Sequence, residues 1–231
     1  TRYDEGTGLR LEQGDFFVMQ THYHYDGTEA PVDQSQFAVS VVSDDDPAAD
    51  AMTALDVQVM LAPAEIPCRA DEIGPLCSRD AALAEAIAKY GPPGALGEAI
   101  LGACGFSRAD FAGMTDGVAS SSCDNRVGTS GELVSFFGHQ HEIGASFRLI
   151  LHPDTPEEIV LLDIPEWDFD WQLIYESQET IMVEAGDVVR MECTWDRALR
   201  DPTLEPAYVL WSEGTNDEMC FAMMTVRPNE N

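Results

Sequence analysis

Basic residues are scarce in this chain. Its 231 residues include 12 Lys and Arg against 42 Asp and Glu, a formal net charge of −30, and Lys89 is the one lysine. So few cations argue against a nucleic-acid partner, whose phosphates are bound through Lys and Arg. They argue equally against docking on an anionic membrane surface. Long apolar runs are missing too. No stretch approaches the roughly 20 residues of a transmembrane helix, which argues against membrane insertion. No signal peptide opens at Thr1, so the expectation is a mature or trimmed product. No Cys-x-x-Cys pair occurs, which disfavours a zinc ribbon. The sequence shows no internal repeat and no low-complexity tract.

What is present suits one globular domain spanning 1–231, because 45% of the residues are hydrophobic. Six cysteines, an even number, are most simply three disulfides in a secreted, extracellular or periplasmic protein. Short β-rich segments recur at regular spacing. The candidates are Asp15 to Tyr25, Gln36 to Ser43, Asp56 to Leu61, Glu132 to His141, Ser146 to His152, Glu157 to Asp163, Trp171 to Tyr175, Thr180 to Val183, Asp187 to Trp195, Ala207 to Trp211 and Glu218 to Val226. Turn chemistry separates them at Pro153-Asp154, Gly186-Asp187, Asp201-Pro202 and Gly214-Thr215. Many short strands punctuated in this way predict an antiparallel β-sandwich. Between them the character changes: the alanine-rich stretch from Ser78 to Ala88 predicts a helix with Ser78 as N-cap. Two shorter helices are expected over Ala95 to Ala103 and Ser107 to Met114.

The chemistry concentrates in Gly138-His139-Gln140-His141-Glu142-Ile143-Gly144, which follows the apolar run Leu133 to Phe137. Strand side chains alternate faces, so His139 and His141 point the same way, one pleat apart, and can converge on one metal ion. A distant stretch, Gly214-Thr215-Asn216-Asp217-Glu218-Met219-Cys220, offers Met219 as a third ligand. A thioether suits copper, above all Cu(I), better than zinc or magnesium. A pair of partly buried histidines with no metal is the competing account. His22 and His24 form a second His-x-His pair near the start.

His-x-His followed about eighty residues later by Gly-Thr-x-Asp-Glu-Met-Cys resembles the copper type II, ascorbate-dependent monooxygenases, the family of the peptidylglycine alpha-hydroxylating and dopamine beta-monooxygenases, in their carboxy-terminal catalytic domain. Phe17 to Tyr23, the segment Trp167 to Tyr175, and Gly186-Asp187 leading into Cys193 agree in order with that likeness, which covers most of residues 14–61 and 130–228. The resemblance implies a jelly-roll-like β-sandwich. It also implies copper and ascorbate as cofactors, and hydroxylation of an activated C–H bond with dioxygen. His139, His141 and Met219 would be ligands to one copper, and Cys193 would pair with Cys220. His22 would face a second copper held mainly by a preceding copper domain, so the chain is expected either to be part of a longer two-domain enzyme or to lack the electron-relay copper. The family's connection near residues 64–120 is short, so that segment reads as a small helical insertion. Four of the six cysteines, Cys68, Cys77, Cys104 and Cys123, fall in or beside it in one of three connectivities. Glu142 and Asp217 are candidates for orienting imidazole N–H groups.

Two departures bear on the substrate. Phe137 stands where the peptide-amidating members carry an arginine, and Phe221 and Met223 stand where they carry Asn and Tyr. The expected pocket, lined by Phe137, Phe221 and Met223, is therefore apolar, and the expected partner is an apolar small molecule rather than a peptidylglycine. The alternative to the enzyme is an extracellular copper-binding or structural β-sandwich module without turnover, because function does not follow from fold.

Overall fold

The computed structural model describes residues 4–19, 21 and 32–229, and the chain divides into two compact units, residues 2–55 and residues 56–231. In the first, strand β1 (Thr7–Gly8) pairs in parallel with β2 (Thr53–Ala54). The strand expected over Gln36 to Ser43 does not form: these residues carry no regular structure and are exposed. Strand-forming side chains make a strand only when a neighbouring strand accepts their ladder, and among the described residues none does. Of the strand expected over Asp15 to Tyr25, residues 15–19 and 21 are likewise irregular, and the remainder, with His22 and His24, lies outside the described residues.

The second unit holds the remaining elements: β3 (Asp56–Ala62), β4 (Glu65–Ile66), α1 (Arg79–Tyr90), α2 (Leu96–Ala103), α3 (Arg108–Phe111), β5 (Val118–Arg126), β6 (Gly131–His139), β7 (Gly144–Leu151), β8 (Ile159–Ile164), β9 (Ile174–Val183), β10 (Val188–Asp196), β11 (Val209–Leu210) and β12 (Cys220–Pro228). Two four-stranded sheets, ordered β5-β10-β7-β8 and β3-β12-β6-β9, are antiparallel throughout. Period-two alternation explains how they pack. Strand β10 buries Val189, Met191, Cys193 and Trp195, and β12 buries Cys220, Ala222, Met224 and Val226, in each case every second residue. These inward rows belong to one continuous core, so the two sheets form a β-sandwich. The Cys193–Cys220 disulfide joins an interior strand of one sheet to an interior strand of the other, with 6.0 Å between Cα atoms. Gly138 on β6 lets the Phe147 ring of the facing sheet come close, because a β-carbon there would collide with that ring.

The helices lie between β4 and β5. Ser78 occupies the N-cap position of α1 in extended conformation, without a side-chain cap bond. Helix α1 stops at Gly91, whose φ of 70° suits glycine. Ser107 and Asp110 form a capping box on α3. Two disulfides brace this segment: Cys68–Cys77 closes the approach to α1, and Cys104–Cys123 ties the end of α2 to β5. The buried Glu65 on β4 pairs with Arg79 and accepts the Tyr208 hydroxyl at 2.9 Å. Among the described residues no helix is long and apolar enough to cross a membrane.

The inter-sheet bridge closes a stretch 27 residues apart in sequence. A C193A/C220A double variant is expected to lose about 3–4 kcal/mol of unfolding free energy by the chain-entropy account. Urea unfolding of the purified protein measures it, and a loss below about 1 kcal/mol would show that the sheets are held together without the bridge.

Candidate metal centre

His139 is the last residue of β6 and sits on the face away from the core; the ladder ends there, and His141 lies buried in the turn to β7. Alternation nevertheless carries past the strand end. Gln140 is fully buried and donates Nε2 to the Thr194 carbonyl at 3.1 Å, while the imidazoles on either side of it come together, ring centroids 5.0 Å apart and nearly perpendicular.

Each ring is held at Nδ1. His141 Nδ1 meets the backbone carbonyl of Asp217 at 3.0 Å, and His139 Nδ1 meets the side-chain oxygen of Gln172. Gln172 is itself oriented, because its Nε2 donates to the Phe169 carbonyl at 2.6 Å. Both partners are acceptors, so Nδ1 carries the proton in each neutral ring and Nε2 carries the lone pair, the form that ligates metals. Trp167 Nε1 donates to the His141 carbonyl at 3.2 Å and pins the turn from outside.

Glu218 organises the centre. It is fully buried, and its Oε2 accepts the N–H of His141 at 2.8 Å, of Trp195 Nε1 at 3.0 Å and of Met219 at 3.2 Å; its Oε1 accepts Ile143 N–H at 2.9 Å. One oxygen thus touches the amides of both His141 and Met219. Burial pushes the Glu218 carboxyl up to about 8, against the pull of these four N–H groups. All four partners donate, an arrangement that serves the ionised carboxylate.

Met219, one residue before β12, is buried, and alternation with the inward Cys220 places it on the side of Phe221 and His139. Phe221 on β12 pairs in register with His139, and Met223 with Phe137. These side chains occupy the face of the sheet opposite the core and are half-buried. The Phe137 ring is 6.1 Å from that of His139 and stacked, the Phe221 ring meets His139 edge-on at 6.2 Å, and the Phe169 ring meets His141 edge-on at 6.3 Å. Ile174 and Val59 extend the apolar row on either side and are exposed. Glu142 is half-exposed in the turn. The Asp217 carboxylate faces Tyr90 rather than an imidazole, and it is the carbonyl of Asp217 that meets His141. Among the described residues no three His, Cys, Asp or Glu side chains are grouped to hold a metal ion. Sequence reading passed over Glu218 and Gln172. An acidic residue directly ahead of a buried Met-Cys pair is the signal that marks Glu218.

A disulfide-braced antiparallel β-sandwich that holds two oriented imidazoles side by side has the make-up of a metal-binding domain. Comparison with protein families makes this specific: residues 112–227 match the copper type II ascorbate-dependent monooxygenase family, in its C-terminal domain, and the chain belongs to that family. The matched range holds both histidines, Met219 and the Cys193–Cys220 bridge, begins after α3, and leaves out residues 14–61. Family membership makes copper and ascorbate the cofactors and implies a small-molecule substrate. A search of curated proteins finds no match to the chain.

Glu218→Ala leaves four buried N–H groups without an acceptor and is expected to cost at least about 3 kcal/mol. Glu218→Gln places an amide against the Ile143 N–H and should cost less, about 1–3 kcal/mol. Denaturant unfolding ranks the pair, and a Glu218→Ala protein within about 0.5 kcal/mol of wild type would deny the carboxylate its organising role.

Proposed function

We propose that this chain is the copper-bearing catalytic domain of a monooxygenase that hydroxylates an activated C–H bond of an apolar small molecule with dioxygen and ascorbate. His139 and His141 offer ring nitrogens and Met219 its thioether to one copper ion. The observation that carries this reading is the shared Glu218 oxygen, which draws the backbones of His141 and Met219 to one point while the two imidazoles lie side by side. The donor chemistry fits the family's metal. Two neutral imidazoles and a thioether suit copper, and the thioether favours Cu(I).

Copper, when bound, supplies the one-electron chemistry by which dioxygen reacts with a C–H bond. Ascorbate provides two electrons and two protons, one oxygen atom enters the substrate and the other leaves as water. The protein's own residues orient and enclose. Gln172 and the Asp217 carbonyl fix the two rings, and Phe137, Phe169 and Phe221 surround them with apolar edges that limit water. Phe137 in place of a cationic anchor supports an uncharged, apolar substrate over a carboxylate-bearing one. His22 is assigned to a second copper shared with a partner copper domain. Residues 64–120 are read as a helical insertion within the domain, their helices lying ahead of the family's matched range. Three disulfides favour an exported protein.

Copper titration is expected to give one tight site per chain, lost in His139→Ala and His141→Ala. Met219→Ala should weaken Cu(I) by about tenfold or more, with a smaller effect on Cu(II). Ascorbate-driven oxygen uptake that rises with an apolar substrate separates an enzyme from a passive copper carrier. A chain that binds copper equally well without His139 and His141 ends this assignment.

A further inference from the structure

Helix α1 ends against the loop that carries Met219. Its last residue, Tyr90, donates its hydroxyl to Asp217 Oδ2 at 2.7 Å, across 127 positions of sequence. The same oxygen accepts the Gly214 N–H at 3.2 Å, and the Asp217 N–H returns to the Gly214 carbonyl at 2.8 Å, closing a tight turn. The carbonyl of that same Asp217 receives His141 Nδ1 at 3.0 Å. One continuous set of contacts therefore runs from the Tyr90 hydroxyl, through the carboxylate and backbone of Asp217, to an imidazole of the candidate copper site.

Two further features belong to this link. Gly214 has no room for a side chain, since a β-carbon would collide with the Tyr90 hydroxyl oxygen and sit 2.7 Å from Asp217 Oδ2. Lys89, the only lysine of the chain, holds its Nζ 4.7 Å from the centre of the Tyr90 ring and braces that ring from the adjacent position. The turn is thus fixed from the helix side as well as from within. Asp217 could make its own turn with Gly214 alone, so the hydroxyl adds orientation that the turn does not require.

We propose that Tyr90 is a positioning residue of the metal site: through Asp217 it sets the orientation of the His141 ring, and the helical segment is a working part of the centre as well as a cover for the sandwich. This rests on the assignment of His139, His141 and Met219 as copper ligands. The helix lies outside the range matched to the family.

The test uses the full disulfide-intact chain and copper alone as the probe. Cu(I) affinity is measured by competition with a chromogenic chelator, and the Cu(II) form is examined by electron paramagnetic resonance. Tyr90→Phe removes one hydroxyl, and Gly214→Ala drives Tyr90 and Asp217 apart while keeping both. Each is expected to weaken Cu(I) by about tenfold, the low end for residues that orient metal ligands, and to change the copper hyperfine splitting. The double variant should lose no more than either single one, because both break the same contact. Tyr208→Phe removes a different hydroxyl-to-carboxylate bond, to Glu65, beside the same helix. It should lower the melting temperature and leave the copper signal unchanged, which separates bracing from positioning. Wild-type affinity and hyperfine splitting in Tyr90→Phe would overturn the proposal while leaving the ligand assignment intact. Copper binding that survives His139→Ala and His141→Ala would overturn both.

Discussion

A single buried carboxylate holds this molecule's business end together. Glu218 accepts hydrogen bonds from the turn between β6 and β7, from Trp195 on β10, and from the residue that leads into β12. Strands β6 and β12 belong to one sheet, β7 and β10 to the other, so one side chain ties both sheets at the same corner. A buried carboxyl with no partners would cost several kcal/mol, and four N–H donors make its burial tolerable. The same strands carry a second tie one pleat further along: Cys193 lies two residues before Trp195, and Cys220 two residues after Glu218. A covalent rung and a polar rung thus stand side by side beneath the paired imidazoles.

The charge of the chain and the chemistry of its site contrast. Forty-two acidic residues give the protein a strongly negative character, yet the donors proposed for the metal are neutral: two imidazoles and a thioether. A neutral, partly soft donor set favours the lower oxidation state of copper, while aromatic edges from Phe137, Phe169 and Phe221 keep the surroundings apolar.

The helical segment has a similar double character. Its disulfides and the Glu65–Arg79 pair compensate for a small apolar core of its own. Its last residue reaches the loop of Met219 and through it the His141 ring.

Alternation and turn chemistry alone determined the sandwich: the strands around Leu133, Phe147, Met191 and Met224 were legible because every second side chain is apolar. Helix α1 was legible from its alanines, the histidine pair from its spacing, and the Cys193–Cys220 bridge through family likeness. Strand β5 was not legible, since it turns Ala119, Ser121 and Cys123 inward and its pattern of small residues carries no hydrophobic signal. The apolar residues near Val39 and Val41 suggested a strand that has no neighbour to pair with. Tertiary structure alone decided the grip of Glu218, the use of the Asp217 carbonyl in place of its carboxylate, and the meeting of Tyr90 with a loop 127 residues away. The physical reason is common to all three. A periodic pattern is local and is written in neighbouring residues, whereas a hydrogen-bond partner is chosen by strand register and sheet stacking, which bring together atoms that no sequence window contains.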